Sequence, residues 1–230
     1  MTKKERMAIA QFSAHWGRYT EIQPYQQKWL AKYSNFATYG RGKCIYDPEW
    51  QEERVFYVCS GLVGRIVQKT VLVKVPKKNK PSAEQEDEIE NEDKTYPQLR
   101  RRILSVGIPG MALMSTDHLY SSTQSIGEIV ALRPCEVLTI DYEAIRRFMI
   151  DDPSLNGMLY ALANKKKRQL ARLRQLNSLM DPQSAYLKFA DTLPELYSLL
   201  SQTEQQDLLG ISRRTISRAS YLYATGKPKR

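Results

Sequence analysis

Residues 200–219 read Leu-Ser-Gln-Thr-Glu-Gln-Gln-Asp-Leu-Leu-Gly-Ile-Ser-Arg-Arg-Thr-Ile-Ser-Arg-Ala, and this stretch decides the fold of the C-terminal part of the chain. Ser201 is a good helix N-cap, and Glu204 stands where it can complete a capping box. Gly210 permits a left-handed turn after this first helix. Ser212 can then cap a second helix. The spacing therefore predicts a helix-turn-helix.

The second helix of this unit has a basic outward face. Ile216 faces back toward the first helix, which leaves the arginines and hydroxyls around it pointing away. Arginine can donate two hydrogen bonds to guanine O6 and N7 in the major groove, and polar groups at helix starts bind phosphates. The DNA contacts that we expect are made by Ser201, Gln202, Ser212, Arg213, Arg214, Thr215, Ser217 and Arg218.

A long leucine-rich helix is predicted upstream, over residues 151–181. Asp152-Pro153 provides an acidic cap with proline at the first helical position. The helix would span about 28 residues, or roughly 42 Å. Its apolar stripe is typical of a helix that packs along a second copy, although a helix buried inside a monomer is the alternative. The expected dimer interface consists of Leu155, Leu159, Leu162, Leu170, Leu173 and Leu176.

Residues 1–150 are rich in short strand-like runs. These β-branched and aromatic runs are punctuated by glycine and proline, which predicts a β-roll or barrel. The runs cover residues 54–59, 62–67, 71–75, 103–106, 125–132 and 136–140. Residues before about 35, such as 26–33, are predicted to be helical. An acidic run at 84–93 suggests a solvated loop inserted between two strands, with no role that the sequence indicates.

Composition limits the function classes. The chain has 230 residues and a formal net charge of +10, and residues 151–230 alone carry 13 basic against 7 acidic side chains. This excess favours a polyanionic partner. No apolar run approaches the roughly 20 residues of a membrane helix. The three separated cysteines suggest a reducing cytoplasm rather than a disulfide framework.

With these motifs in place, the chain resembles the Crp/Fnr family of bacterial transcription regulators. Residues 39–42 and 55–61 resemble the first strands of that family, and residues 200–218 resemble its recognition unit. The resemblance implies an α+β fold in three parts: an effector-sensing β-roll or jelly-roll (1–150), a long dimerisation helix (151–181) and a helix-turn-helix domain (182–230). It further implies a homodimer that reads a two-fold related site on double-stranded DNA and contacts RNA polymerase. The few residues after the second helix suggest a truncated or absent wing, replaced by a basic tail at 226–230.

The effector pocket that the resemblance implies is formed by Gly110, Met111, Ala112, Ser125, Ile126 and Asn164. Nucleotide-binding members have a glutamate where this chain has Met111, and an arginine pair where it has Ser125-Ile126. A cyclic phosphate would then lack its bidentate cation. Cyclic AMP is therefore not expected, and the identity of any small-molecule effector stays open.

Two departures affect the DNA-binding unit. Gln205 and Gln206 replace an apolar and a small residue of the family pattern, so we expect looser packing of the first helix. Arg214 replaces a common glutamate, so we expect a different DNA half-site, because a carboxylate accepts from cytosine N4 whereas arginine prefers guanine or phosphate.

The sequence also bears on iron–sulfur, metal, haem and catalytic sites. Three scattered cysteines do not provide the four ligands of an iron–sulfur cluster, and no metal site is expected. Haem stays open, because His15, His118 and the cysteines are possible axial ligands. No catalytic constellation is recognisable, so an enzyme is not expected. The alternative to a DNA-binding regulator is a ligand-sensing or protein-interaction module that has lost DNA binding.

Overall fold

The computed structural model of the chain describes residues 1–74, 95–118, 120–179 and 181–227. The helices are α1 (Lys3–Trp16), α2 (Pro24–Tyr33), α3 (Tyr142–Asp151), α4 (Leu155–Asn177), α5 (Pro182–Thr192), α6 (Pro194–Leu199), α7 (Gln202–Leu209) and α8 (Arg213–Thr225). The strands are β1 (Ser34–Tyr39), β2 (Cys44–Tyr46), β3 (Arg54–Ser60), β4 (Val63–Lys74), β5 (Thr95–Gly107), β6 (Ala112–Met114), β7 (Glu128–Ala131) and β8 (Cys135–Asp141).

The strands form two four-stranded antiparallel sheets, ordered β1-β8-β3-β6 and β2-β7-β4-β5. Apolar side chains from both sheets share one buried cluster, which includes Val58, Val63, Leu113, Ile129 and Val137. Burial of these side chains between the sheets is the main force that closes the roll. The predicted α+β architecture with an N-terminal roll is confirmed.

The hairpin of β4 and β5 is the longest feature of the roll. It pairs from Val63 opposite Gly107 to Lys74 opposite Thr95. The sequence run at 62–67 and the described part of the run at 71–75 therefore belong to one strand rather than two, because the polar residues between them continue the same ladder. The acidic run at 84–93 lies outside the described residues.

The N-terminal helices cover one side of the roll. Phe12 and Trp16 of α1 and Leu30 of α2 are buried together with Tyr57 of β3. The predicted helix at 26–33 is confirmed and begins at Pro24. No helix in the described ranges is long and apolar enough to cross a membrane.

The long helix α4 starts later than predicted. Its N-cap is Ser154, and the carboxylate of Asp152 accepts hydrogen bonds from Tyr25 Oη at 2.8 Å and Gln26 Nε2 at 2.6 Å. The other oxygen of this carboxylate accepts from the amide of Ser154 at 3.0 Å, so Asp152 both joins α2 to α4 and binds the backbone at the start of α4.

The leucines of α4 are buried by the chain itself. Leu155 and Leu162 pack with the roll and α1, while Leu173 and Leu176 pack with the C-terminal helices. These four side chains are at most 6% exposed, so their assignment to a dimer interface is wrong. A heptad-like stripe has the same periodicity whether its partner is its own chain or a second copy. Leu170 is partly exposed, and the side chain of Leu159 lies outside the description.

The C-terminal helices α5–α8 pack on α4 and on β5 of the roll. One apolar cluster joins Leu62 and Ile103 of the roll to Leu196 and Leu208 of the C-terminal helices. The core is therefore continuous across the predicted boundary at residue 182. In the described residues no strand follows α8, and residues 228–230 of the predicted basic tail are outside the description.

Candidate DNA-recognition and effector sites

The helix-turn-helix unit consists of α7 and α8, and its capping residues make the hydrogen bonds that the sequence predicts. Ser201 accepts from the amide of Glu204, and the Glu204 carboxylate accepts from the amide of Ser201 at 2.8 Å, which completes a capping box at the start of α7. Gly210 ends α7 with φ of 69°, in the left-handed region that favours glycine. Ser212 caps α8 by accepting from the amide of Thr215 at 3.1 Å.

The outward face of α8 is cationic. Ile216 and Ala219 are fully buried against the rest of the unit, so the opposite side of the helix faces solvent. Arg213, Arg214 and Arg218 are exposed there, whereas Thr215 and Ser217 are half-buried between them. The exposed arginines lie within two turns of one helix, which is the arrangement that fits a major groove.

The hydroxyls expected at the DNA are already engaged. Ser201 Oγ donates to the Glu204 carboxylate at 2.9 Å, and Ser212 Oγ lies 2.9 Å from Thr215 Oγ1. Gln202 is exposed at the start of α7. A phosphate at these helix starts would therefore be met by exposed polar groups and amides more than by free hydroxyls.

The expected loose packing around Gln205 is wrong. This side chain is 4% exposed, and its Oε1 accepts from Tyr186 Oη at 2.8 Å. Its Nε2 donates to the carbonyls of Tyr197 at 2.9 Å and Leu200 at 3.1 Å. A buried amide with all of these partners joins α5, α6 and α7, so it stabilises the unit instead of loosening it.

An ion pair that no sequence pattern predicts ties this unit to the roll. Arg133, between β7 and β8, donates to both carboxylate oxygens of Glu204, at 2.6 and 2.8 Å. Burial opposes ionisation of Glu204, but the hydrogen bonds from Arg133 and Ser201 outweigh it and lower the pKa of Glu204 to about 2. Arg133 appeared in the sequence only as part of a turn, because its partner lies 71 residues away.

The predicted effector pocket is divided between two places. Gly110 and Asn164 line a cavity between α1 and α4. Met111 and Ala112 are buried in the core, and Met111 Sδ accepts from Gln169 Nε2 at 3.8 Å. The side chain of Ile126 is 74% exposed, so its assignment to a pocket is wrong. An apolar residue in a connecting turn gives no indication of which way it points.

A guanidinium does lie against the Ser125–Gly127 segment, which corrects the expected absence of a cation there. Arg65 of β4 donates through Nη1 to the carbonyls of Ser125 and Gly127, both at 3.3 Å, and through Nη2 to the carbonyl of Met114. Arg65 is 4% exposed, and its Nε has no hydrogen-bond partner in the described residues. The cation comes from a neighbouring strand, so sequence alignment of the segment itself does not show it.

Lys166 of α4 is a second inward-facing cation on the same side of the roll. Burial and the nearby charge of Arg65 lower the pKa of Lys166 to about 8, although Asp117 opposes the shift. In the described part of the chain Lys166 has no hydrogen bond or ion pair. Arg65 and Lys166 thus place two cations on this side of the roll, and the carboxylate of Asp117 partly balances them.

The described residues contain no group of three or more His, Cys, Asp and Glu side chains that could hold a metal ion. Cys44 is exposed, and Cys59 and Cys135 are buried as free thiols. His15 is on α1, with its Nδ1 3.3 Å from Tyr57 Oη, whereas His118 lies in the connection between β6 and β7.

No protein-family model matches the sequence. No curated protein matches it either. Solved structures do match. A protein assigned to the crp/fnr family of transcriptional regulators from Eubacterium rectale is 14% identical with a TM-score of 0.60, covering 93% of this chain and 89% of its own.

Two further structures are similar. A variant of CooA from Carboxydothermus hydrogenoformans is 15% identical with a TM-score of 0.57, over 89% of this chain and 82% of its own. FixK2 from Bradyrhizobium japonicum is 17% identical with a TM-score of 0.56, over 84% and 86%. At these identities the match concerns the fold, and it extends over the roll, the long helix and the C-terminal helices. The chain has the fold of the Crp/Fnr transcription regulators.

Proposed function

We propose that this chain is a sequence-specific DNA-binding transcription regulator of the Crp/Fnr type and not an enzyme. The observation that carries the proposal is the exposed face of α8, where Arg213, Arg214 and Arg218 stand on a helix-turn-helix whose turn and caps are well formed. The fold shared with the Eubacterium rectale regulator supports it. Such a regulator would act in the cytoplasm, where its DNA is.

Recognition would use α8 in the major groove. The three arginines would bind guanine edges or flanking phosphates, and the start of α7 at Gln202 would lie near the backbone. Arg214 favours a half-site with guanine or a phosphate contact at its position, rather than the cytosine that a glutamate would accept from.

We further propose that the active form is a homodimer, through a face of α4 other than that of its four buried leucines. Ala163, Leu170 and Arg174 lie at helical spacing on this face and are exposed or partly exposed. Two copies of α4 along this face would place two α8 helices on a two-fold related DNA site. Contact with RNA polymerase belongs to the same proposal.

Cyclic AMP does not fit the proposed regulator. Met111 is fully buried beside Gln169, so no carboxylate is offered to a ribose, and Arg65 is committed to backbone carbonyls. We propose that any effector acts through groups other than those of the nucleotide-binding members. Haem, for which the sequence leaves His15, His118 and the cysteines as candidate ligands, is neither predicted nor tested.

Selection of binding sites from random DNA tests the main proposal. The full chain is expected to enrich a two-fold symmetric site, with binding that weakens steeply with salt, by about 0.9 log units per log unit of salt for each phosphate neutralised. Arg213→Ala and Arg218→Ala should each weaken binding by about 1–3 kcal/mol. Arg41→Ala removes an equally exposed arginine from a turn of the roll and should leave affinity unchanged.

If no site is enriched, or if the α8 variants bind as well as the wild-type chain, DNA recognition through α8 is wrong. The alternative, a sensing or interaction module that no longer reads DNA, would then be favoured.

A further inference from the structure

A cavity of about 380 Å³ lies outside the roll, between α1, the turn at Gly110 and α4. Six of its lining side chains matter for its chemistry: His15, Arg18, Tyr19, Tyr57, Lys165 and Arg168. Its size is within the range of pockets that bind small molecules. It is therefore large enough for a ligand of modest size, and it is bounded by four separate parts of the chain, since Tyr57 of β3 also lines it.

The charge of this cavity is uniformly positive. Arg18 follows α1, and Lys165 and Arg168 stand one turn apart on α4. None of the described residues that line the cavity carries a carboxylate, and neither Arg18 nor Arg168 has an ion pair with described residues. Burial, Arg18 and Lys165 together lower the pKa of His15. Cations facing one another in this way repel, and a bound anion would relieve that repulsion.

The wall opposite α4 is aromatic. The ring of His15 lies 5.9 Å from that of Tyr19 and 5.9 Å from that of Tyr57. Gly110 brings the two sides close, since a Cβ built at this position would lie 3.8 Å from the His15 ring and 3.9 Å from Lys165 Nζ. Lys165 Nζ is held at the turn by the carbonyl of Pro109 at 3.0 Å. A ligand in the cavity would thus meet Lys165 and Arg168 on the α4 side, and rings together with Arg18 on the α1 side.

We propose that this cavity binds a small organic phosphate, with its phosphate on Arg18, Lys165 and Arg168 and a planar ring against Tyr19 and Tyr57. Arginine and lysine are the usual partners of phosphate oxygens, and arginine can bind two of them at once. Tyrosine rings give a planar group an apolar face. The site differs from the roll interior, where Arg65 is used by backbone carbonyls.

Such a ligand would bridge α1, the Gly110 turn and α4. Because Leu173 and Leu176 of α4 pack with the C-terminal helices, a ligand fixed at Lys165 and Arg168 would bias the helix that carries them. This regulatory role rests on the proposed DNA-binding function, whereas the binding itself does not.

Calorimetric titration of the full chain with inorganic phosphate, pyrophosphate and AMP tests the site. AMP should bind saturably and more tightly than either inorganic anion. Arg18→Ala and Arg168→Ala should each weaken AMP about tenfold, as expected for loss of a charge-assisted hydrogen bond. Lys167→Ala is the matched control, because it removes an exposed charge from the neighbouring position of α4 outside the cavity.

Absence of binding by all three probes at millimolar concentration would overturn the proposal, and so would an equal loss in Lys167→Ala, which would mean diffuse attraction. If AMP binds no more tightly than pyrophosphate, the ring contact is wrong. His15 gives a second readout by NMR, since a bound phosphate should raise the pKa that burial, Arg18 and Lys165 lower. If AMP binds but no DNA site is selected, the proposed DNA-binding function is wrong and the proposed ligand site stands.

Discussion

Arg133 and Glu204 form a two-pronged ion pair, at 2.6 and 2.8 Å, between a turn of the roll and the first helix of the helix-turn-helix. Arg133 also donates to the carbonyl of Leu199 at 3.2 Å, just before that helix. The same carboxylate caps α7 through Ser201. The Glu204 side chain therefore fixes both the start of α7 and the docking of the helix-turn-helix on the roll.

Arg133→Met should loosen that docking. It leaves the Glu204 carboxylate, which is 5% exposed, without its cation, and we expect a loss of about 1–3 kcal/mol of unfolding free energy. Hydrogen exchange should increase at α7 before the roll is affected. Arg101→Ala is the control, because its contact with Asp207 is longer, at 3.8 Å, and more exposed. Equal effects of the two changes would contradict the assigned role of Arg133.

The same pair predicts a pH dependence. The folded pKa of Glu204 is about 2, below its ordinary value of 4.5, so its contribution is fully present above pH 4.5 and is lost as the pH falls through about 2. The wild-type chain should exceed Glu204→Gln in thermal stability near pH 6, and the difference should shrink as the pH falls from 4.5 toward 2. A difference that is constant with pH would show that the charge of Glu204 is not involved.

Helix caps and turns can be predicted from the sequence, because they depend on residues only a few positions apart. Ser201 and Gly210 act through neighbours a few residues away, so the caps and turn of the recognition unit are readable from spacing alone. Arg65 could not be predicted as a partner of the Ser125–Gly127 segment, because backbone carbonyls carry no sequence signature. Leu173 has a periodicity that fits its own core as well as a second copy, and only the fold decides between them.

Gln205 gives a prediction about the recognition unit. Gln205→Leu should destabilise the chain by about 1–3 kcal/mol, because Tyr186 Oη and two buried carbonyls lose their partner. The measurement is chemical denaturation. Gln206→Leu, at a half-buried neighbour, should cost much less. If Gln205→Leu were neutral or stabilising, the leucine would have improved the packing, as the original family pattern suggested.

Replacing Lys166 with an apolar residue is expected to stabilise the folded chain. Its folded pKa of about 8 lies below the ordinary 10.5, so the unfolded state binds more protons between these values. The cost of the buried charge is therefore present below about pH 8 and diminishes as the pH rises toward 10.5. Lys166→Met should raise stability at pH 7 by about 1–3 kcal/mol, with a smaller gain at pH 10. Lys167→Met, at an exposed site, should show neither effect, and a destabilised Lys166→Met would indicate that the cation has a partner.

Leu173 and Leu170 of α4 differ in exposure, so substitutions at these two positions separate an effect on folding from an effect on dimerisation. Leu173 is 6% exposed within its own chain, so Leu173→Ala should lower the unfolding free energy by about 2–4 kcal/mol at any protein concentration. Leu170 is partly exposed on the face proposed for the dimer, so Leu170→Lys should produce monomers in sedimentation while far-ultraviolet circular dichroism is unchanged. If Leu170→Lys stays dimeric, the two copies do not meet through this face of α4. If Leu173→Ala keeps its stability but dissociates, the leucine stripe is the interface after all, because only a side chain shared between copies would lose association without loss of folding.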